Sequence, residues 1–322
     1  MHAIRFIRHR MKSLQHLCCL AASALFASTA ALASPALWVA RSPTATVYLF
    51  GTIHVLPNDV TWHYPALDLA LAASDSLYVE EDDGSRAKIK ALILKYGTSD
   101  SDRAAGANLF DRVYPHWDYV WKWHTLSSAL GPADRERLRI AAERAGLPRG
   151  VATLDSMRPW LGALTLSVAA TSRAGYEPQF GVDTELEREF KARGKPVHSF
   201  ETTHDQIASF ADTPPALQMD LLRSVIDTHV RGTTQIATLV RDWQAGKVHA
   251  IANVMDANLR DEYPELYRAL IVTRNRNWAA QIEALLDGHR TLFVAVGAGH
   301  LAGPDSVQAQ LAKLGIRTER VH

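Results

Sequence analysis

The sequence predicts an α/β fold: a central mixed sheet carrying two Gly-x-x-His tetrads, with a large helical insertion between the two halves of the sheet. Three observations lead there. The tetrads Gly51-Thr52-Ile53-His54 and Gly297-Ala298-Gly299-His300 lie near opposite ends of the chain. Each directly follows a short β-branched or aromatic run, Val47-Tyr48-Leu49-Phe50 and Thr291-Leu292-Phe293-Val294-Ala295-Val296, which reads as a buried strand. Between them, residues from about 85 to 285 are dominated by apolar residues at the i, i+3, i+4 spacing of helices.

The first element is a targeting segment. Met1 to Arg10 carry Arg5, Arg8 and Arg10 with no acid, Lys12 follows, and an apolar stretch runs from Leu14 to Leu32. Ala31-Leu32-Ala33 fits the small-x-small rule, so residues 1–33 are expected to be a signal peptide and residues 34–322 a single domain, periplasmic or secreted. Gln15, His16 and several serines interrupt the stretch, which makes it thin for a spanning helix, and no lipobox precedes Cys18. Cys18 and Cys19 are the only cysteines, so the processed chain would have neither disulfides nor thiolate metal ligands. Its removal takes away four basic residues and no acidic one, turning the formal charge of +1 into −3. That balance argues against a nucleic-acid partner, and no second long apolar run offers a membrane span after cleavage.

From Val47 the chain reads as strand, loop (Gly51 to Asn58), helix (Pro65 to Ser74) and strand (Ser76 to Val79), a compact β-loop-α-β unit. Period-two alternation turns Leu77, Val79 and Glu81 one way and Tyr78 and Glu80 the other. Helices are expected at Ala87 to Tyr96, Pro132 to Ala145, Pro159 to Ala169, Val182 to Arg193, Pro215 to Val230, Thr233 to Ala245 and Asn275 to Leu286. One short strand, Pro196 to Phe200, interrupts them and ends at Glu201. A helix from Ser306 to Leu314 and a strand near Arg317 to Val321 close the chain, while Pro214-Pro215 and Ser99 to Ala107 read as loops.

A glycine ending a buried strand lets a histidine three residues later stand over the carboxyl edge of the sheet, where α/β proteins bind ligands. Imidazole is a common metal ligand and a near-neutral acid or base, so His54 and His300 together suggest hydrolytic metal chemistry. Glu80 offers a carboxylate at a parallel strand end, as ligand or general base, although Glu81, Asp82 and Asp83 beside it equally suit a solvated acidic loop. Glu201 repeats that arrangement, with a helix cap formed by Thr202 or Thr203 as the competing account of its neighbourhood. Asp183, opening an acidic helix after Gly181-Val182, is most simply an N-cap. Arg274 and Asn275, in a polar cluster before a helix, could hold a developing oxyanion or simply face solvent. The ring-dense run Tyr114 to His124 reads as core on one face, with its other face either a second core layer or the lining of a substrate groove, and His63 and His204 read as ordinary surface or capping residues.

Taken in order, Leu49-Phe50-Gly51-Thr52-Ile53-His54, Tyr78-Val79-Glu80, Phe180-Gly181-Val182-Asp183, Phe200-Glu201 with Gln206, Arg274-Asn275 with Trp278, and Val294 to Leu301 resemble the TraB/GumN family, within the wider TIKI/TraB group of metalloproteases. The resemblance implies a fold similar to that of erythromycin-esterase-like and ChaN-like proteins and a site that groups both histidines with a strand-end glutamate. It implies a divalent metal (Mn, Co or Zn) on His54, His300, Glu80 and Glu201, catalytic roles for Glu80, Arg274 and Asn275, and a peptide or protein substrate in the cell envelope. Thr273 stands where the family often has an acid, which weakens any charged triad there. The leading expectation is an exported metal-dependent hydrolase, most simply a peptidase. The alternatives are a metal-independent esterase-like hydrolase, with His54 or His300 as base beside Glu80, and a periplasmic accessory protein binding haem or another ligand. The absence of an H-E-x-x-H helix excludes a zincin.

Overall fold

A computed structural model of the chain describes residues 34–81, 86–98, 125–231, 234–255 and 257–321. The expected signal segment, the loop at Ser99 to Ala107 and the aromatic run Tyr114 to His124 therefore lie outside the described residues. Ser34–His322 forms one unit.

Among the described residues six strands build one mixed sheet: β1 (Leu37–Arg41), β2 (Thr46–Thr52), β3 (Ser76–Glu81), β4 (Val197–Glu201), β5 (Thr291–Gly297) and β6 (Thr318–Arg320), in the order β4-β3-β5-β2-β1-β6. The four strands β4, β3, β5 and β2 run parallel, while β1 pairs antiparallel with both β2 and β6. β5, last of the parallel strands in sequence, inserts between β2 and β3 and pairs with both, so Gly51 lies opposite Val296 and Thr52 opposite Gly297. The two tetrads are thus neighbours although 246 residues separate His54 from His300.

Helices cover both faces of the sheet, which is why its inner strands read as nearly continuous apolar runs. On one face Phe50, Phe293, Leu77 and Val79 pack on α1 (Pro65–Ala73) and α5 (Val182–Ala192), whose Val182, Leu186 and Phe190 are fully buried. On the other, Leu49, Val294 and Val296 pack on Trp278 and Ile282 of the helix Thr273–Leu286 and on Val307 and Leu311 of the helix Val307–Lys313. Each fully buried Phe or Leu contributes about 1.5–3 kcal/mol, so this layering holds the strand ends firmly in place. Trp243, in the helix Thr234–Gln244, adds a direct tie by donating its indole N–H to the carbonyl of Gly51 at 2.7 Å.

The insertion is helical with a core of its own, Leu138, Ala141, Leu166, Leu222 and Ile226, contributed by the helices Pro132–Ala145, Pro159–Arg173 and Pro215–Arg231. Sequence periodicity found these helices even though Pro159–Arg173 is buried on more than one side, its Trp160 and Leu161 joining a separate cluster with Ile207 and Ala211. It did not find β1, whose Trp38, Val39 and Ala40 run is short and lies close to the expected cleavage point. Nor did it find the helices Val248–Met255, Ala257–Glu262 and Pro264–Tyr267.

The polar cluster Arg274 to Trp278 lies inside a helix and not before one. The run begins at Pro264, passes through a π turn at Arg268–Val272, and continues as Thr273–Leu286. Such turns insert one extra residue and often stand beside functional sites.

Candidate active site

Every parallel strand delivers a chemical group at its carboxyl end: His54 after β2, His300 after β5, Glu80 on β3 and Glu201 on β4. Glu80 follows the parity read from sequence, sharing with Tyr78 the face covered by the helix Thr273–Leu286, and it is 6 % exposed.

Glu80 is held on both oxygens. Oε1 accepts the Gly297 N–H at 2.6 Å and Oε2 accepts Nη2 of Arg274 at 2.8 Å. Burial acts to raise its pKa, but His300, Arg274, His54 and the Gly297 amide outweigh it and hold the carboxyl down at about 2. Arg274 also places Nε 2.9 Å from Glu201 Oε1 and Nη2 3.0 Å from Oε2, and Glu201 Oε1 accepts the Trp278 indole N–H at 2.8 Å. Both Glu201 oxygens are therefore engaged. The neighbouring Thr202 caps the next helix, Thr203–Ala211, in a reciprocal box with Asp205, so the capping account and the reach of Glu201 into the site are both correct.

The two histidines are held differently. His300 is buried, and its Nδ1 lies 2.7 Å from Asn275 Oδ1. The amide of Asn275 cannot be turned round, because its Nδ2 donates to the carbonyls of Asp305 at 2.8 Å and His300 at 3.3 Å. Nδ1 of His300 must therefore carry the proton, and Nε2 presents a lone pair, which Nη1 of Arg274 approaches at 3.3 Å. Burial pushes this imidazole down, to about 4; Arg274 and His54 push the same way against the pull of Glu80.

His54 is 62 % exposed, and its Nδ1 lies 2.8 Å from Asp183 Oδ2. The Asp183 charge, aided by the hydrogen bond and by Glu80 and Glu81 and opposed by burial, raises its pKa to about 10, a pull that water over the open face of the ring damps. Asp183 is not the N-cap expected from sequence. Gly181 takes that place, and Asp183 sits in the first turn of α5 with Oδ1 accepting the Thr52 hydroxyl at 2.6 Å. Thr52 and Asp183 thus form a relay behind His54: a ligand-orienting role is the lesser of the two readings of Asp183 from sequence, and nothing in the sequence singles out Thr52. His63, read as a lone surface residue, pairs its Nδ1 with Asp68 Oδ1 at 2.6 Å.

These groups converge. The Nε2 atoms of His54 and His300 each lie 4.0 Å from Glu80 Oε1. Gly297 keeps the space between them open, since a Cβ there would stand 3.1 Å from Glu80 Oε1 and 3.2 Å from His54 Nε2. Its φ of −50° is open to any residue, so the glycine serves space and not conformation.

Two imidazoles and a carboxylate are donors of the right kind for Zn, Mn or Co, and each imidazole has its far nitrogen fixed, as metal-binding histidines do. The 4.0 Å separations exceed the roughly 3.4 Å between donors of a tetrahedral site with bonds of about 2.1 Å, so ligation requires a small contraction. Among the described residues no three of His, Cys, Asp and Glu are grouped closely enough to hold a metal as they stand.

The His300 environment gives a pH prediction. A histidine whose folded pKa lies below its unfolded value of 6.5 contributes stability above pH 6.5 that is lost as the pH falls toward 4, here roughly 3 kcal/mol. In the presence of a chelator, urea unfolding should weaken between pH 6.5 and 4, and His300→Gln should flatten that limb. A variant that declines as steeply as the parent would assign the acid sensitivity elsewhere. The loss from Glu80 comes later, as pH falls from 4.5 toward 2.

Residues 36–320 match the TraB/PrgY/gumN family. No curated protein and no solved structure matches the chain. Among the described residues no helix is long and apolar enough to cross a membrane.

Proposed function

The chain belongs to the TraB/PrgY/gumN family, and from that premise we propose that it is an exported hydrolase acting on a peptide or protein of the cell envelope, with a divalent metal held by His54, His300 and Glu80. The observation that carries the reading is the convergence of two anchored imidazoles on one carboxylate oxygen, each Nε2 at 4.0 Å. When bound, such a cation would polarise the scissile carbonyl and lower the pKa of water. The export half of the reading is supported by the basic and then apolar N-terminal sequence.

The protein's own groups divide the remaining work. Asn275 keeps the His300 lone pair directed into the site, and Asp183 with Thr52 fixes the His54 ring with its Nε2 on the Glu80 side. Asn275 has both amide atoms committed and is fully buried, so it positions His300 and leaves the stabilisation of an oxyanion to Arg274. Glu80 carries a firmly held negative charge, which suits an electrostatic anchor better than a base near neutral pH.

A metal-independent reading has one observation in its favour: Arg274 Nη1 already faces the His300 lone pair. In it His54, backed by Asp183, moves the proton and Arg274 holds the oxyanion.

One experiment separates the two. Metal content and calorimetric affinity would be measured on wild type, His54→Ala and His300→Ala, with turnover of a peptide library in metal and in chelator. The metal reading expects about one equivalent bound by wild type, almost none by either variant, and turnover abolished by chelation. Turnover that survives chelation but not His54→Ala would replace it with the metal-independent reading.

A further inference from the structure

We propose that Arg274 is a built-in stand-in for the cation: its guanidinium and an incoming divalent metal compete for Glu80 and the His300 lone pair, and Glu201 retains the guanidinium when the metal enters. The inference rests on the metal-dependent reading above.

The guanidinium is shared between two carboxylates and one imidazole. Nε and Nη2 lie 2.9 and 3.0 Å from Glu201, Nη2 also lies 2.8 Å from Glu80 Oε2, and Nη1 stands 3.3 Å from His300 Nε2. A neutral imidazole with Nδ1 protonated has one lone pair, and that lone pair can serve a guanidinium or a metal but not both. A permanent cation therefore faces one of the nitrogens that the ligand set needs, and it holds Glu80 through Oε2, the oxygen beside the one on which the histidines converge.

Two further features fit a group that yields without being lost. Glu201 is fixed by the Trp278 indole, and the Arg274 guanidinium carbon lies 4.6 Å from the centre of that ring, so the side chain keeps a charged partner and an aromatic shelf when its contacts to Glu80 and His300 open. The π turn at Arg268–Val272 ends immediately before Thr273, giving the start of this helix a place to change register. On this account Glu201 takes no place in the ligand set and acts as the dock for Arg274.

The competition makes a cation-for-cation prediction. Wild type, Arg274→Gln, Arg274→Gln with Glu80→Gln, and His54→Ala would be titrated as full-length processed chains with Mn, Co and Zn chlorides, by calorimetry and by thermal unfolding. In chelator Arg274→Gln should melt below wild type. Metal should raise its midpoint by more than it raises that of wild type, it should bind metal about tenfold more tightly or better, and adding Glu80→Gln should remove the gain. If Arg274→Gln does not fold in chelator, refolding with and without metal decides: recovery of the native circular dichroism only with metal upholds the proposal, and no recovery in either condition overturns it. Binding by wild type that is lost in His54→Ala, with Arg274→Gln binding no more tightly than wild type, leaves the metal reading intact and overturns this one. Absence of binding by any variant overturns both.

Discussion

Arg274→Met is expected to lower the unfolding free energy by about 3–5 kcal/mol in metal-free buffer, the largest effect of any substitution at the sheet edge. The side chain is only 12 % exposed, and it is the shared partner of Glu80 and Glu201, whose side chains are 8 % and 16 % exposed. Methionine replaces its volume but leaves two carboxylates facing each other across a nearly dry space. Glu80 retains the Gly297 amide and Glu201 the Trp278 indole, and neither donor carries a charge. Arg274→Lys should recover only part of the loss, because an ammonium is a point charge that cannot span both acids as the planar fork does. Adding Glu80→Gln and Glu201→Gln to Arg274→Met should restore most of it, since breaking a buried pair costs far more than replacing the whole set by neutral groups. Urea denaturation at neutral pH with a chelator measures all four proteins. A loss below about 1 kcal/mol for Arg274→Met would show that the carboxylates relax into solvent and are not locked as the structure has them.

Much of this site was legible in the sequence, and what stayed hidden has a physical pattern. His54, His300, Glu80 and Glu201 could be found because each ends or follows a buried strand, and strand ends advertise themselves locally through apolar runs and turn residues. That the strands are adjacent could not be read the same way. β5 reaches its place between β2 and β3 through pairings made across more than two hundred residues, and no local signal records them. The partners of the histidines were hidden for the same reason. Asp183 looked like a helix cap because carboxylates near a helix start usually are, and only the approach of the β2 end to α5 shows that its oxygens go to Thr52 and His54. Arg274 and Asn275 were recognised as a pair, but their division of labour depends on the side of the helix each faces: Arg274 toward the carboxylates, Asn275 toward the His300 ring and the Asp305 carbonyl. The π turn shifted the expected helix start, because its one extra residue breaks the 3.6-residue period used to find it. Gly297 read as the turn at a strand end and Gly181 only as the residue ahead of a helix, whereas both have backbone angles open to any residue and are small because of what stands next to them.

Gly181→Ala turns that last point into a sharp expectation. At φ −59° and ψ 142° alanine is at no conformational disadvantage, so any loss must come from contact. A Cβ there would run into the carbonyl oxygen of His54 and stand 2.7 Å from its carbonyl carbon. Both atoms are backbone, so no rotamer change relieves the collision, and the loop after β2 and the start of α5 must part. That movement strains the Val182 N–H bond to the Ile53 carbonyl, 3.0 Å long, and then the 2.8 Å link between Asp183 and His54, which lies directly behind it. Overpacking of this kind costs about 1–3 kcal/mol, and the loss of orientation at His54 should lower metal affinity and peptide turnover by at least about tenfold. Gly131→Ala is the matched control. Its φ is −63°, nothing lies within 4 Å of its added Cβ, and it starts a helix as Gly181 does, so it should change stability by less than about 1 kcal/mol and leave binding untouched. Asp183→Asn separates the two consequences of the Gly181 change, because it weakens the hold on His54 without moving the backbone. If Gly181→Ala matches Gly131→Ala in urea unfolding and wild type in metal affinity, the loop after β2 is free to yield, and the precise seating of His54 against α5 is not what the site depends on.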